Sequence, residues 1–290
     1  MDADVFYDRA FSRNRGLISE VEQQKLRKTR IAIPGMGGMG GVHCAALART
    51  GIGNFTIADF DEFDVHNINR QYGAMQSTVG KDKAQVMRDI VHDINPSADV
   101  KVMNEAIGAD NVDEFLKDVD VVVDALDVFA VQARRTIFDA AREKGIPTFT
   151  VAPTGFSAIM AVFSPDGMDF DTYTGIKDGM SETQMAMQFI AAIGGQGTHL
   201  KYMDVKRIDP ETGGAPSLGL ACQLGAGITA TEIVCYMTGR RAPKYVPWFV
   251  QFDPYARSYK HRYRWWGANN PMQRLRMMML KRMIPKLNSK

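Results

Sequence analysis

A glycine turn placed between a strand and a helix limits this chain more than any other stretch. Residues 30–33, Arg-Ile-Ala-Ile, read as a short buried strand. Gly35, Gly37 and Gly40 then fall in the G-x-G-x-x-G spacing, and residues 41–50 continue as an alanine-rich helix. In that spacing one glycine permits the tight turn, one lets backbone approach a phosphate, and one lets the helix pack on the strand. Free N–H groups and the positive end of the helix dipole then face the anion. A second strand, residues 54–58, ends in Asp59, about 20 residues beyond the loop, where an acidic side chain takes ribose hydroxyls. Strand, loop, helix and acid together predict a nucleotide-binding α/β fold, where the glycine spacing alone would not.

The rest of the chain extends that pattern. Residues 5–28 read as helical and polar, with Arg9, Arg13 and Arg15 close together. Residues 83–95 form a helix with Val86, Ile90, Val91 and Ile94 on one face and Pro96 as its stop. Strands at 100–103, 120–124 and 147–152 alternate with helices at 112–117 and 131–144. This alternation predicts a Rossmann-like, mainly parallel sheet with helices on both faces. From residue 155 the pattern changes. An antiparallel strand at 157–163, helices at 182–193 and 218–238, and a late strand at 246–252 extend the fold. The expected organisation is a nucleotide-binding half over residues 1–154, a crossover, substrate and dimer-interface half of the same fold over 155–256, and a basic tail over 257–290. The tail helix carries Met272, Leu275, Met279 and Met283 on one stripe.

At 290 residues and 45% hydrophobic, the chain can bury a large core. Its start, Met1-Asp2-Ala3-Asp4, is acidic and lacks the pattern of a signal peptide. No apolar run is expected to reach the length of a membrane span, because residues 218–237 are interrupted by Gln223, Thr229, Thr231 and Glu232. Cys44, Cys222 and Cys235 form no C-x-x-C pair, which argues against a disulfide framework and against a cysteine zinc site. The expected location is therefore the reducing cytoplasm, with no zinc. Net charge is +2, yet residues 257–290 hold ten of the 35 Lys/Arg and no acid, leaving 25 basic against 33 acidic residues elsewhere. A basic tail on an acidic body suggests an anionic partner, such as tRNA or a membrane surface, or a tail folded back on an acidic face.

Beyond Asp59-Phe60-Asp61 lies a dense set of amides and cations: Asn67, Arg70, Gln71, Lys81 and Lys83. A hydride-transferring dinucleotide enzyme has no need of it. An enzyme that polarises a triphosphate does, because Arg and Lys neutralise charge developing on phosphates in a nearly dry site. Magnesium prefers one or two carboxylates plus phosphate oxygens. Asp124-Ala125-Leu126-Asp127 supplies them at the carboxyl end of a strand, where open α/β sheets bind ligands. No G-x-x-x-x-G-K-[ST] is present, so the phosphate site is not a P-loop.

Phe11-Ser12-Arg13-Asn14, the loop at 35–40, Asp59-Phe60-Asp61, Asn67-x-x-Arg70-Gln71, Gly80-x-x-Lys83 and Asp127 together resemble the ThiF/MoeB family, relatives of the ubiquitin-activating enzymes. The similarity is strong from residue 11 to about 153 and weaker to residue 239. It implies ATP-dependent adenylation: a carboxylate, often the C-terminus of a small protein or peptide, attacks the α-phosphate and releases pyrophosphate. Carried over, Gly35, Gly37, Gly38 and Gly40 cradle the nucleotide and Asp59 holds the ribose. Asn67, Arg70, Gln71 and Lys83 bind and polarise the phosphates, Asp127 holds magnesium, and Arg13 reaches the γ-phosphate of a homodimer partner. Asp61 is counted with the nucleotide-binding set, while it and Asp64 serve equally well as turn or helix-cap residues.

The chain also departs from the family. It lacks the four zinc cysteines of many relatives, and residues 149–214 contain no Cys, so thioester transfer is not expected. Cys222 reads as a buried structural thiol. Val128 stands after Asp127 where relatives often have Asn or Ser. Two other readings fit parts of the pattern: an NAD- or FAD-binding oxidoreductase, from the glycine loop and Asp59, and a non-catalytic nucleotide-binding scaffold.

Overall fold

The computed structural model describes residues 1–204, 207 and 216–283, together with the backbone but not the side chains of Arg276 and of residues 279–283. The chain divides into two compact units, Met1–Ala125 with Ala226–Pro243, and Leu126–Gly225 with the residues from Lys244 onward.

In the first unit, α1 (Ala3–Ala10) and α2 (Glu20–Lys28) lead into β1 (Arg30–Pro34), α3 (Gly40–Thr50), β2 (Asn54–Ala58), α4 (Lys83–Ile94), β3 (Asp99–Met103), the single turn α5 (Val112–Phe115) and β4 (Val121–Asp124). The strands pair in the order β3-β2-β1-β4, and the β1 pairings with β2 and β4 and that of β2 with β3 are parallel. Every residue of β1 and β4 is buried, as expected of strands covered on both faces. A capping box fixes the start of α2: Ser19 Oγ accepts from Glu22 N at 3.3 Å, and Glu22 Oε2 accepts from Ser19 N at 2.8 Å. A bidentate pair ties α2 to the segment after the last helix of this unit, with Arg240 Nε 2.7 Å from Glu22 Oε1 and Nη2 2.8 Å from Oε2.

The second unit contains α6 (Val131–Glu143), β5 (Thr148–Thr154), β6 (Ser157–Phe163), α7 (Phe170–Thr174), α8 (Glu182–Ile193), the first turns of α9 (Gly219–Met237), β7 (Trp248–Asp253), β8 (Ser258–Tyr263) and α10 (Pro271–Met283). The pairings β5–β6, β6–β7 and β7–β8 are all antiparallel. Aromatic rings of α6, α7, α8, β6 and β7 form its core, where Phe138, Phe163, Phe170, Tyr173, Phe189 and Phe249 are buried. The fold is therefore the expected mixture: a parallel Rossmann-like sheet followed by antiparallel strands. Three segments depart from the sequence reading. The helix read over residues 5–28 is two helices, Ala3–Ala10 and Glu20–Lys28, with a 3-10 turn at Ser12–Asn14 between them. The polar segment 258–263, assigned to the tail, is an edge strand, and residues 170–174 form a short helix. Met279 and Met283 of the tail stripe have side chains outside the described residues, as does the whole segment 284–290.

α9 also differs from expectation. On length and composition it is apolar enough to cross a membrane, with 19 residues and a mean hydropathy of 1.3 over its best window. Its alanines, leucines and isoleucines outweigh the polar interruptions in that average. A core helix passes the same test. Ala221, Cys222, Ala226, Ala230 and Ile233 are buried, and Glu232 takes two hydrogen bonds from Arg241 at 2.7 and 2.6 Å.

Candidate active site

The glycine loop begins where β1 runs out. Gly35 adopts φ +90°, a left-handed conformation open to glycine, and its N–H continues the ladder by donating to Ala58 O at 2.7 Å. Gly40, the first residue of α3, leaves no room for a side chain: a Cβ there would lie 1.7 Å from the Gly35 carbonyl oxygen and 3.2 Å from Ala125 Cβ at the end of β4. The turn can therefore fold back on itself only without a Cβ at that position.

Asp59, at the end of β2, is fastened to this loop. Its Oδ2 accepts from Met36 N at 2.6 Å and its Oδ1 from Asp61 N at 2.9 Å. Burial still raises the Asp59 carboxyl above the ordinary range, against the lowering effect of those two N–H groups and of Lys83. Lys83, at the start of α4, is buried and directs its ammonium at Asp61 Oδ2, 3.0 Å away, while its own N–H donates to Asp61 O at 2.9 Å. Asp61 thus has a structural job in this state: it holds the lysine beside Asp59.

Gln71 is buried over the loop. A Cβ on Gly37 would sit 3.7 Å from its Nε2, and its Oε1 is buried without a hydrogen-bond partner. The amide nitrogen on the loop side can donate to a phosphate oxygen, whereas the orphaned oxygen is an acceptor that only an N–H or O–H donor satisfies. Asn67 is also buried, but its Oδ1 accepts from Asp64 N at 3.0 Å and so caps its own turn. Asp64 is itself a cap, accepting from His66 N at 3.1 Å. The Arg70 guanidinium donates to His66 O and Asn69 Oδ1, both at 3.0 Å, so it lies along its own segment in this state.

Arg13 is exposed on a single 3-10 turn, Ser12–Asn14. Its neighbour Asn14 anchors that turn: Nδ2 donates to Gln23 Oε1 at 2.9 Å and to Thr50 O at 3.2 Å. Thr50 is the last residue of α3, whereas the glycine loop adjoins its first. The eleven residues of α3 span about 16 Å, so the turn that carries Arg13 is anchored at the opposite end of α3 from the loop.

Asp127 opens the second unit, is exposed, and accepts from Phe129 N at 2.9 Å through Oδ1. Arg134 braces this turn from α6, donating to Leu126 O at 2.8 Å and Asp127 O at 3.1 Å. Among the described residues no group of three His, Cys, Asp or Glu is gathered that could hold a metal. None of the three cysteines is exposed, and burial pushes the Cys44 thiol up to about 12.

The ThiF family profile matches residues 11–272. The chain belongs to the ThiF family. A tRNA threonylcarbamoyladenosine dehydratase of Haemophilus influenzae is 34% identical over 150 residues, 51% of this chain and 57% of that protein. A probable adenylyltransferase/sulfurtransferase MoeZ of Mycobacterium tuberculosis is 28% identical over 223 residues, 75% of this chain and 50% of that protein. The chain thus spans about half the length of the curated relatives it matches. Among solved structures, E. coli tRNA N6-threonylcarbamoyladenosine dehydratase in complex with ATP superposes with a TM-score of 0.60 at 22% identity, covering 83% of this chain and 98% of that one. That likeness establishes the ThiF fold from the structural side.

Proposed function

We propose that this ThiF-family chain is an ATP-dependent adenylyltransferase. A substrate carboxylate oxygen attacks the α-phosphorus, the bond from that phosphorus to the bridging oxygen breaks, and an acyl adenylate and pyrophosphate result. The observation that carries the reading is the buried Lys83 ammonium held beside Asp59 and the glycine loop, with the Gln71 amide nitrogen above the same loop. A hydride-transfer site has no use for that lysine. A site in which negative charge grows on the leaving phosphates does.

In this reading Gly35, Gly37, Gly38 and Gly40 cradle the phosphates and Asp59 takes the ribose hydroxyls. Lys83 shifts from Asp61 to the phosphates, and Arg70 turns to them from the His66 carbonyl. Asp127, an exposed carboxylate, would hold magnesium. When bound, magnesium would neutralise phosphate charge. Arg13 serves the site of a second copy in a homodimer, which is supported by the anchoring of its turn at the opposite end of α3 from its own loop. The substrate is a carboxylate on a small protein, a peptide or another carrier. The absence of an exposed thiol favours direct transfer from the adenylate over a thioester step.

Exchange of labelled pyrophosphate into ATP, with a series of carboxylate carriers, tests the reading. Lys83→Met and Asp127→Ala should each lower exchange by about 10²–10³ while leaving the thermal unfolding curve in place. Exchange at the wild-type rate in both variants would refute it.

A further inference from the structure

The C-terminal part of the second unit exposes both apolar and cationic side chains, and residues 257–290 contain no acid. Trp265 and Trp266 are 62% and 66% exposed, and Tyr259, Tyr263, Met272 and Met278 are exposed with them. The exposed cations Arg257 and Arg274 belong to the same segment, whereas Lys260 and Arg262 alternate with Tyr259 and Tyr263 along β8 and so leave the strand on its other face. Trp266 also sits at φ +59°, a left-handed conformation that a bulky side chain adopts only at a cost. Burial does not repay that cost, because the ring stays in solvent. The Trp pair is tied to the start of α10 by Asn270, whose Nδ2 donates to Trp265 O at 3.2 Å and whose Oδ1 accepts from Met272 N at 2.9 Å. Arg264 is the exception among the cations. It is buried, donates to Ala192 O and lies over the Tyr173 and Phe249 rings, so it fixes the patch to the core.

We propose that the Tyr259 and Tyr263 side of β8, with the Trp265-Trp266 turn and the exposed Met272, Leu275 and Met278 of α10, binds the surface of a membrane carrying anionic lipid. Indole rings settle where an apolar body meets a wet boundary. Cations near an anionic leaflet add attraction, and an amphipathic helix buries its apolar side at the acyl boundary. One feature favours lipid over nucleic acid: the exposed methionines and Leu275 gain little from flat bases but do gain from leaving water. A second copy of this chain is disfavoured at the same segment, because its described exposed charges, Arg257, Lys260, Arg262 and Arg274, are all positive and two like-charged surfaces repel.

The test is flotation of the full chain with vesicles of mixed phosphatidylcholine and phosphatidylglycerol, and with phosphatidylcholine alone, while tryptophan emission is recorded. The mixed vesicles should carry the protein up the gradient and shift emission to the blue, and salt should weaken both effects. Trp265→Ala with Trp266→Ala should lower the apparent affinity about tenfold, as should Met272→Ser with Met278→Ser, with pyrophosphate exchange unchanged in either. Protein that stays unbound on anionic vesicles overturns the proposal, as does binding that both double variants leave intact. Trp-dependent binding of a single-stranded RNA without vesicle binding would reassign the face to nucleic acid. Self-association lost in the Trp variant would reassign it to a second copy. Exchange activity is read independently, so failure here leaves the adenylation reading standing, and the reverse also holds.

Discussion

His43 lies in the first turn of α3, fully buried, with neither ring nitrogen hydrogen-bonded. Burial pushes its imidazole down from the ordinary 6.5 to about 3. In the unfolded chain the ring takes a proton near its ordinary value, while in the folded chain it stays neutral. The unfolded state therefore binds more protons across that window. The stability contributed by the neutral ring is complete above pH 6.5 and falls as pH drops toward 3. Each pH unit inside the window is worth about 1.4 kcal/mol, so moving from about pH 7 to about pH 5 costs about 2 kcal/mol. His43→Leu, close in volume, should abolish this loss. It should also stabilise the chain at neutral pH by on the order of 1 kcal/mol, since two orphaned polar atoms leave the core. Urea unfolding of both proteins at several pH values measures the difference, to which every other histidine contributes equally. Thermal melts should show the wild type losing roughly 4–8 °C more than the variant over that range. Parallel pH profiles would mean that His43 is protonated or hydrated in the folded chain, and the argument would fail.

Gly40→Ala should destabilise the fold by roughly 3 kcal/mol and abolish ATP binding by calorimetry, because the new Cβ meets backbone 1.7 Å away rather than a movable side chain. Glu22→Gln should flatten the acid limb of stability. The hydrogen bonds from Arg240, then those from Ser19, hold the Glu22 carboxyl at about 2 against the usual 4.5, so its contribution is present above 4.5 and is lost as pH falls toward 2; acid titration followed by circular dichroism reads it. Mixing inactive Arg13→Ala with inactive Lys83→Met should restore about a quarter of wild-type exchange if the arginine crosses between subunits, since half the pairs then carry one intact site. No recovery after subunit exchange would place Arg13 in its own site or outside it.

Local patterns carried most of what the sequence revealed. The strand, glycine loop, helix and Asp59 sit within thirty residues, and each has a period or a steric demand of its own, so all four were legible. The helix Glu182–Ile193 was legible as an element, while its Ser181 cap was seen only in the structure. β8 was not, because an edge strand of Tyr, Lys, His and Arg has no buried face to alternate against. The pairing of Lys83 with Asp61 and the placement of Gln71 over Gly37 were also hidden. They depend on how residues 61–83 fold on themselves, through bonds such as Phe63 N to Lys81 O at 3.0 Å and Gly80 N to Phe63 O at 2.8 Å. The residue types pointed to phosphate chemistry. Which cation is poised at the loop and which, like Arg70, lies along its own segment emerges only from that folded hairpin.

In the proposed homodimer, α3 sets a rule of stoichiometry. One of its ends is the proposed nucleotide turn, and the other is clamped through Thr50 to the segment that carries Arg13. In that proposal a solitary copy holds both halves of a site at opposite ends of one helix. On the adenylation reading, rate per chain should climb with enzyme concentration and then level off, and dilution should silence the catalyst well before it unfolds.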